Sequence, residues 1–351
     1  HCYGHGTQPM KNRMARIIIE NGSLQKLPRL AKSLGKVFAM VTDQHLKSLG
    51  EEILHDLRRA GLTVNLLIVP AGETTKSLSF LEKMARSLVK LGLKRDSVLI
   101  GLGGGVIGDL AGFLAAIFMR GIPFVSVPTT LLAMGDSSIG GKTGVDLPEG
   151  KNLLGTFMQP ALILMDPTLL KTLPEREFRA GLAEIVKHSV IADRNFFLFL
   201  EKNAKGILAR RPALLKKMIE KSVAINLRVV RADPYESIKK TSGLSRMLVN
   251  YGHTVGHALE QLSHFEIPHG EAVSMGMVAE NRVAVGKGYL KEKEADRIAA
   301  LLKSFHLPTK FPKEFSPSAI KRVMAVDKKN IEGKLHFALP LRIGKARIVA
   351  L

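Results

Sequence analysis

Apolar residues come in two rhythms along this chain. In the first half, short buried runs at residues 16–20, 37–42, 64–69, 98–102, 124–127 and 162–165 read as strands. Amphipathic stretches at residues 24–34, 44–60, 76–91 and 106–118 stand between most of them and read as helices. Strand and helix in alternation predict an α/β domain built on a doubly wound, largely parallel sheet, with ligands bound at the C-terminal ends of the strands. Beyond Pro174 the rhythm becomes helical, at residues 176–191, 195–209, 212–230, 247–262, 272–286 and 292–305. The second domain is therefore expected to be mostly α-helical, and residues 237–243 read as a polar loop. The expected division is a tail at residues 1–12, an α/β domain at 13–173 and a helical domain at 174–351.

Composition narrows the class. At 351 residues and 46% hydrophobic content, two globular domains are the prior. The apolar run at residues 112–119 is too short to span a bilayer and no signal-peptide pattern opens the chain, so no membrane association and a cytoplasmic location are expected. A single cysteine, Cys2, rules out an internal disulfide. Net charge is +21, yet aromatics make up only 5% and the basic residues are dispersed. That pattern speaks against nucleic acid and for an anionic small molecule or a solvated basic surface.

Candidate chemistry sits in two places. Strand 98–102 runs into Gly103-Gly104-Gly105-Val106-Ile107-Gly108-Asp109, a G-x-G-x-x-G turn whose amides suit a pyrophosphate at a helix N-terminus. The tight strand–helix packing that such glycines also serve is the plainer reading of that motif alone. Asp43 ends an earlier strand with an acid suited to ribose hydroxyls, and Gly72-Glu73-Thr74-Thr75-Lys76 follows the next. In the helical half, His253, His257 and His269 fall within twenty residues, and Glu184 lies upstream. His253 and His257, four apart in a helical segment, share one face. Imidazoles with one carboxylate and an open position can hold a divalent ion that polarises a substrate oxygen.

Several of these motifs lie in an order and spacing that resembles 3-dehydroquinate synthase, a sugar phosphate cyclase: Pro70–Lys76, Gly103–Asp109, Arg120-Gly, Val127–Thr130, Asp136–Thr143, Gly150–Asn152, Gly181–Lys187, Asn250–His257, His269–Glu271 and Asp327–Lys329. The resemblance runs from about residue 16 to the C-terminus. It implies NAD+ and Zn2+ (or Co2+) as cofactors, commonly a homodimer, and an active site between the two domains. Glu184, His253 and His269 would be the metal ligands. Taken singly each histidine reads as a structural residue, but four groups in family register reverse that reading.

By the same resemblance His257, Lys142, Lys187, Arg246, Asp136, Asn250 and Glu236 would serve catalysis. Arg120, Asn152, Lys328 and Lys329 would bind substrate, with Arg120 reaching a neighbouring subunit. Asp43, Gly72, Glu73, Lys76, Gly104, Gly105, Val106, Gly108, Asp109, Thr129, Thr130, Lys142, Lys151, Leu169 and Thr172 would contact the dinucleotide. The implied reaction closes 3-deoxy-D-arabino-heptulosonate 7-phosphate to 3-dehydroquinate with loss of phosphate. Two departures stand out. Asn226 occupies a position where the family usually carries a lysine for the substrate carboxylate, and residues 237–242 are extra. Lys239 or Lys240 could replace that ammonium. A cyclase for a sugar phosphate without a carboxylate, or more distantly a metal-dependent polyol dehydrogenase, remains the alternative.

Overall fold

Phe38 and Met40 face one apolar cluster and Ala39 and Val41 face another, so a single strand is buried on both sides, as a central parallel strand must be. The structure is a computed structural model describing residues 15–236, 244–325, 330–331 and 334–350. The chain divides into two compact units, residues 1–129 with 140–166, and residues 130–139 with 167–351.

The first unit contains β1 (Arg16–Ile19), α1 (Leu27–Ala31), β2 (Val37–Asp43), α2 (Lys47–Arg59), β3 (Thr63–Val69), α3 (Leu78–Lys90), β4 (Val98–Gly103), α4 (Gly105–Ile117), β5 (Phe124–Pro128), β6 (Lys142–Leu147), β7 (Gly150–Phe157) and β8 (Leu162–Met165). Six of these strands pair in the order β1-β8-β5-β4-β2-β3, all parallel. Leu81, Met84 and Leu88 of α3 and Leu110, Ala111 and Leu114 of α4 cover one face. Leu27 and Leu30 of α1 and Ile53 and Leu57 of α2 cover the other. Each such side chain, taken out of water, contributes on the order of 1.5–3 kcal/mol.

This is the expected doubly wound sheet. One element of the unit lies outside the sequence reading: β6 and β7 form an antiparallel hairpin. Its glycine-rich, half-exposed strands carry too few apolar positions to announce a period.

The second unit is helical, with α5 (Glu175–Ala192), α6 (Arg194–Leu208), α7 (Pro212–Ala232), α8 (His253–Leu262), α9 (His269–Gly286), α10 (Glu292–Ser304) and α11 (Pro317–Ala325). It also holds a three-stranded antiparallel sheet of β9 (Asn330–Ile331), β10 (Lys334–Arg342) and β11 (Lys345–Ala350), an addition to the mostly helical domain expected. The expected helix over residues 247–262 is two pieces. A 3-10 turn spans Arg246–Asn250, and α8 starts only at His253. Gly252 between them has φ 81°, a left-handed conformation that ends any right-handed helix. Residues 130–139 belong here because Gly181 of α5 lets Leu131 and Leu132 approach the helix directly; a Cβ there would stand 2.7 Å from Leu132 N.

Candidate metal and substrate site

Within α5, Glu184, Lys187 and His188 lie at i, i+3 and i+4 and share one face, and all three side chains are buried. A buried carboxylate is costly unless something cationic or metallic meets it. Here Glu184 Oε1 is 3.5 Å from His253 Nε2 and 3.4 Å from His269 Nε2, and its other oxygen contacts the Lys187 ammonium. Neither oxygen has a hydrogen bond of acceptable geometry. The ligand atoms of Glu184, His253 and His269 all lie within 4.8 Å of one another.

This donor set fits a divalent cation. His253 and His269 are the first residues of α8 and α9. The Nδ1 of His253 lies 3.2 Å from the Tyr251 carbonyl and that of His269 lies 3.3 Å from Glu260 Oε2. Such bonds place the proton on Nδ1 and leave both Nε2 lone pairs for a metal, the outer support that ligating histidines usually have. His257, one turn along α8, brings its ring to 5.3 Å from that of His253 and belongs to a second donor set with Glu260 and His269. Burial alone would lower the His269 pKa, but the neighbouring Glu184 and Glu260 carboxylates outweigh it and push it up to about 10.

Asp136, on a π-helical turn at Ala133–Ser137, is the neighbouring hub. Lys187 Nζ donates to its Oδ2 at 3.2 Å, and Asn226 Nδ2 of α7 donates to its Oδ1 at 2.8 Å. Burial would raise this carboxyl, but Lys187 and His188 hold it well below the usual carboxylate range. Lys187, which burial would lower, is raised by Asp136 and Glu184 and so stays charged. Burial lowers His188 to about 4. The Ser222 hydroxyl donates to Gly135 O at 3.1 Å and so accepts from His188 Nδ1 at 2.6 Å.

Arg246, 3% exposed, donates from Nε to the Asp233 carbonyl at 2.9 Å, and its backbone N–H bonds the Asp233 carboxylate. Burial lowers its pKa, opposed by Glu236, Asp233 and Asp136. Glu236 and Arg246 are therefore electrostatic neighbours despite the extra residues between them. Asn250 is half-buried at the end of the 3-10 turn.

The first unit carries most of the expected dinucleotide residues, several of them at the C-terminal ends of the parallel strands. The chain passes from β2 to β3 on one side and returns to β4 on the other, so the strand order reverses between β2 and β4. Asp43 and Gly103–Gly105 stand at that switch point. The N-terminus of α4, capped by Gly104, has no side-chain cap, and a Cβ on Gly108 would meet open space, which leaves amides and room for an anion. Asp43 accepts from His45 N at 2.8 Å.

Lys76, 4% exposed, donates to Asp109 Oδ2 at 2.7 Å and to the Asn152 side chain. Burial raises the Asp109 pKa, with Lys76 opposing. Gly72 (φ 105°) precedes Glu73, 3.9 Å from Lys76, and Val106 sits in the first turn of α4. Lys142 and Lys151 are exposed at the ends of the hairpin, and Thr129 N donates to Gly103 O. Arg120 is exposed with φ 67°.

Three expected cofactor residues, Thr130, Leu169 and Thr172, belong to the second unit. Lys328 and Lys329, like Lys239, Lys240 and residues 1–12, lie outside the described residues. The sequence reading assigned no role to His188, Ser222, Glu260 or Glu280. His188 and Glu260 carry a helical signal, four residues from Glu184 and three from His257; Ser222 and Glu280 come in from distant helices and carry none.

The family description "3-dehydroquinate synthase N-terminal" matches residues 66–180, and "3-dehydroquinate synthase C-terminal" matches residues 181–330. The chain is 45% identical over 335 residues to the 3-dehydroquinate synthase of Symbiobacterium thermophilum, covering 94% of this chain and 90% of that one. Among solved structures it is similar to a 2-epi-5-epi-valiolone synthase from Streptomyces hygroscopicus with NAD+ and Zn2+ bound (TM-score 0.88, 30% identity, 98% of this chain and 95% of that one). A 2-deoxy-scyllo-inosose synthase complexed with carbaglucose-6-phosphate, NAD+ and Co2+ follows (TM-score 0.85, 25% identity, 95% and 93% covered).

Proposed function

The chain belongs to the 3-dehydroquinate synthase family, and on that premise we propose that it converts 3-deoxy-D-arabino-heptulosonate 7-phosphate to 3-dehydroquinate and phosphate, using NAD+ and a Zn2+ or Co2+ ion. The observation that carries this reading is the buried Glu184 carboxylate facing two imidazole Nε2 atoms, beside a charged Lys187–Asp136 pair. Glu184, His253 and His269 would hold the metal, which polarises a substrate oxygen when bound. The edge at Asp43, Gly104–Asp109, Glu73 and Lys76 would hold NAD+, which supplies a transient hydride acceptor and leaves no net redox change.

This chain's own side chains then have distinct tasks. Lys187 is kept cationic by Asp136 and Glu184, so it attracts and orients an anionic substrate without losing its proton. Arg246 is anchored through Nε by Asp233, which aims its fork at a carboxylate or phosphate. His257, half-buried beside the two candidate ligands, is placed to hold or pass a proton at substrate oxygen. Lys142, Lys151 and Asn152 add charge and hydrogen bonds suited to phosphate. Exposed Ile117 and Met119 beside Arg120 suit a contact between two copies, so a homodimer is the expected assembly. Among the described residues no helix is long and apolar enough to cross a membrane.

Phosphate release tests the reading. Purified protein receives the heptulosonate phosphate or sedoheptulose 7-phosphate, each with and without NAD+ and a chelator. Phosphate from the former alone, dependent on NAD+ and abolished by chelation, is expected. Release from sedoheptulose 7-phosphate alone would assign the chain to another cyclase reaction, and steady accumulation of NADH would assign it to a dehydrogenase.

A further inference from the structure

Both imidazoles of the candidate metal site sit at the first position of a helix, His253 on α8 and His269 on α9. A helix N-terminus carries a partial positive charge from its unpaired N–H groups, so a divalent cation is repelled there unless a negative group compensates. The α8 terminus has no cap of its own, because Gly252 has no side chain to supply one. The cap comes from α9. Glu280, fully buried about three turns beyond His269, accepts from Gly252 N at 2.7 Å through Oε2 and lies 3.3 Å from Val255 N through Oε1.

We propose that Glu280 is a positioning residue for the metal site: its carboxylate clamps and neutralises the N-terminus of α8, fixing His253 against Glu184 and His269 and lowering the cost of a cation there. The inference rests on the metal reading given above.

Two further contacts support the clamp. Next to Glu280, Asn281 Oδ1 accepts from the Tyr251 hydroxyl at 2.6 Å, so two successive residues of α9 hold the segment leading into His253. The Tyr251 carbonyl in turn lies against His253 Nδ1 and sets its tautomer. Ring orientation is thus a property of the Tyr251–Gly252–His253 backbone, and that backbone hangs on Glu280.

The test uses the full-length metal-free protein and Co2+ as probe, comparing wild type with Glu280→Gln and Glu280→Asp. Glutamine keeps an acceptor and the shape but removes the charge; aspartate keeps the charge on a shorter stem. Co2+ affinity, by competition with a chromogenic chelator, is expected to fall about 10–100-fold for Glu280→Gln, and the visible Co2+ spectrum to shift. Partial recovery is expected in Glu280→Asp. The melting temperature of the metal-free form separates this from simple loss of folding, since a purely structural role would lower it while leaving spectrum and affinity unchanged in the folded fraction. Affinity within twofold of wild type and an unaltered spectrum in whichever variant folds would overturn the proposal. Wild-type protein that binds no Co2+ would instead overturn the metal reading itself.

Discussion

Asn226 donates its side-chain N–H to the Asp136 carboxylate across 2.8 Å, so the α7 residue that faces this half-buried acid is neutral. A substrate carboxylate beside Asn226 meets a neutral amide at that position of α7 instead of an ammonium. A charged contact of this kind is worth roughly 2–5 kcal/mol when broken, so a compensating cation is expected. Replacing Lys239 and Lys240 together by alanine should raise KM for the heptulosonate phosphate at least about tenfold, and Asn226→Lys in that background should restore it. An unchanged KM in the double variant shows that the extra residues take no part in binding.

The second prediction concerns Glu184. Its side chain is 1% exposed, and its carboxylate meets two Nε2 atoms and an ammonium. Glu184→Gln removes the negative charge at nearly constant volume. Co2+ binding should weaken beyond the ~10–100-fold typical of outer partners, with loss of phosphate release, and adding Zn2+ should no longer raise the melting temperature. For wild type, ligand at 100 times Kd should stabilise by about 2.7 kcal/mol.

Part of this site was legible from spacing, since His253 and His257 stand four apart on one helical face, whereas Glu184, His269 and Lys187 were placed in it by the family resemblance. The parallel sheet was legible for a similar reason, since β2, β4 and β5 are continuous apolar runs. What escaped the sequence depends on contacts between distant segments. The break at Gly252 reflects packing against α9, where a Cβ would stand 2.6 Å from Met277 Cγ. The His188–Ser222 pair joins residues 34 apart and the Gly252–Glu280 pair residues 28 apart, with no local pattern to mark either. β6 and β7 pair through glycine-rich strands whose order comes from each other rather than from a buried face.

Acid stability follows from His188 and Asp136. The His188 pKa falls from 6.5 to about 4 on folding, with Asp136, Lys187 and Glu184 facing it. Between these values the unfolded chain binds the proton and the folded one does not, so stability present above pH 6.5 is lost as pH falls towards 4. The slope is at most about 1.4 kcal/mol per pH unit. Asp136, held low, contributes stability above its ordinary 3.8 that disappears at still lower pH. Urea unfolding of metal-free wild type and His188→Gln at several pH values checks this. The stability difference between the two should shrink from pH 7 to pH 4.5; a constant difference contradicts the assignment.

The docking of α8 on α9 gives the last prediction. A Cβ on Gly276 would stand 1.9 Å from the Gly252 carbonyl oxygen, a backbone atom fixed by the Gly256 N–H at 3.0 Å. No side-chain rotation relieves that overlap, so Gly276→Ala must push the start of α8 away from α9, and with it the Gly252–Glu280 and Tyr251–Asn281 bonds. Overpacking of this kind costs about 3 kcal/mol. Because the displaced element carries His253, the melting temperature of the metal-free protein and its Co2+ affinity should fall together. Gly286→Ala on the same helix, where a Cβ meets open space, should change neither, which makes it the matched control.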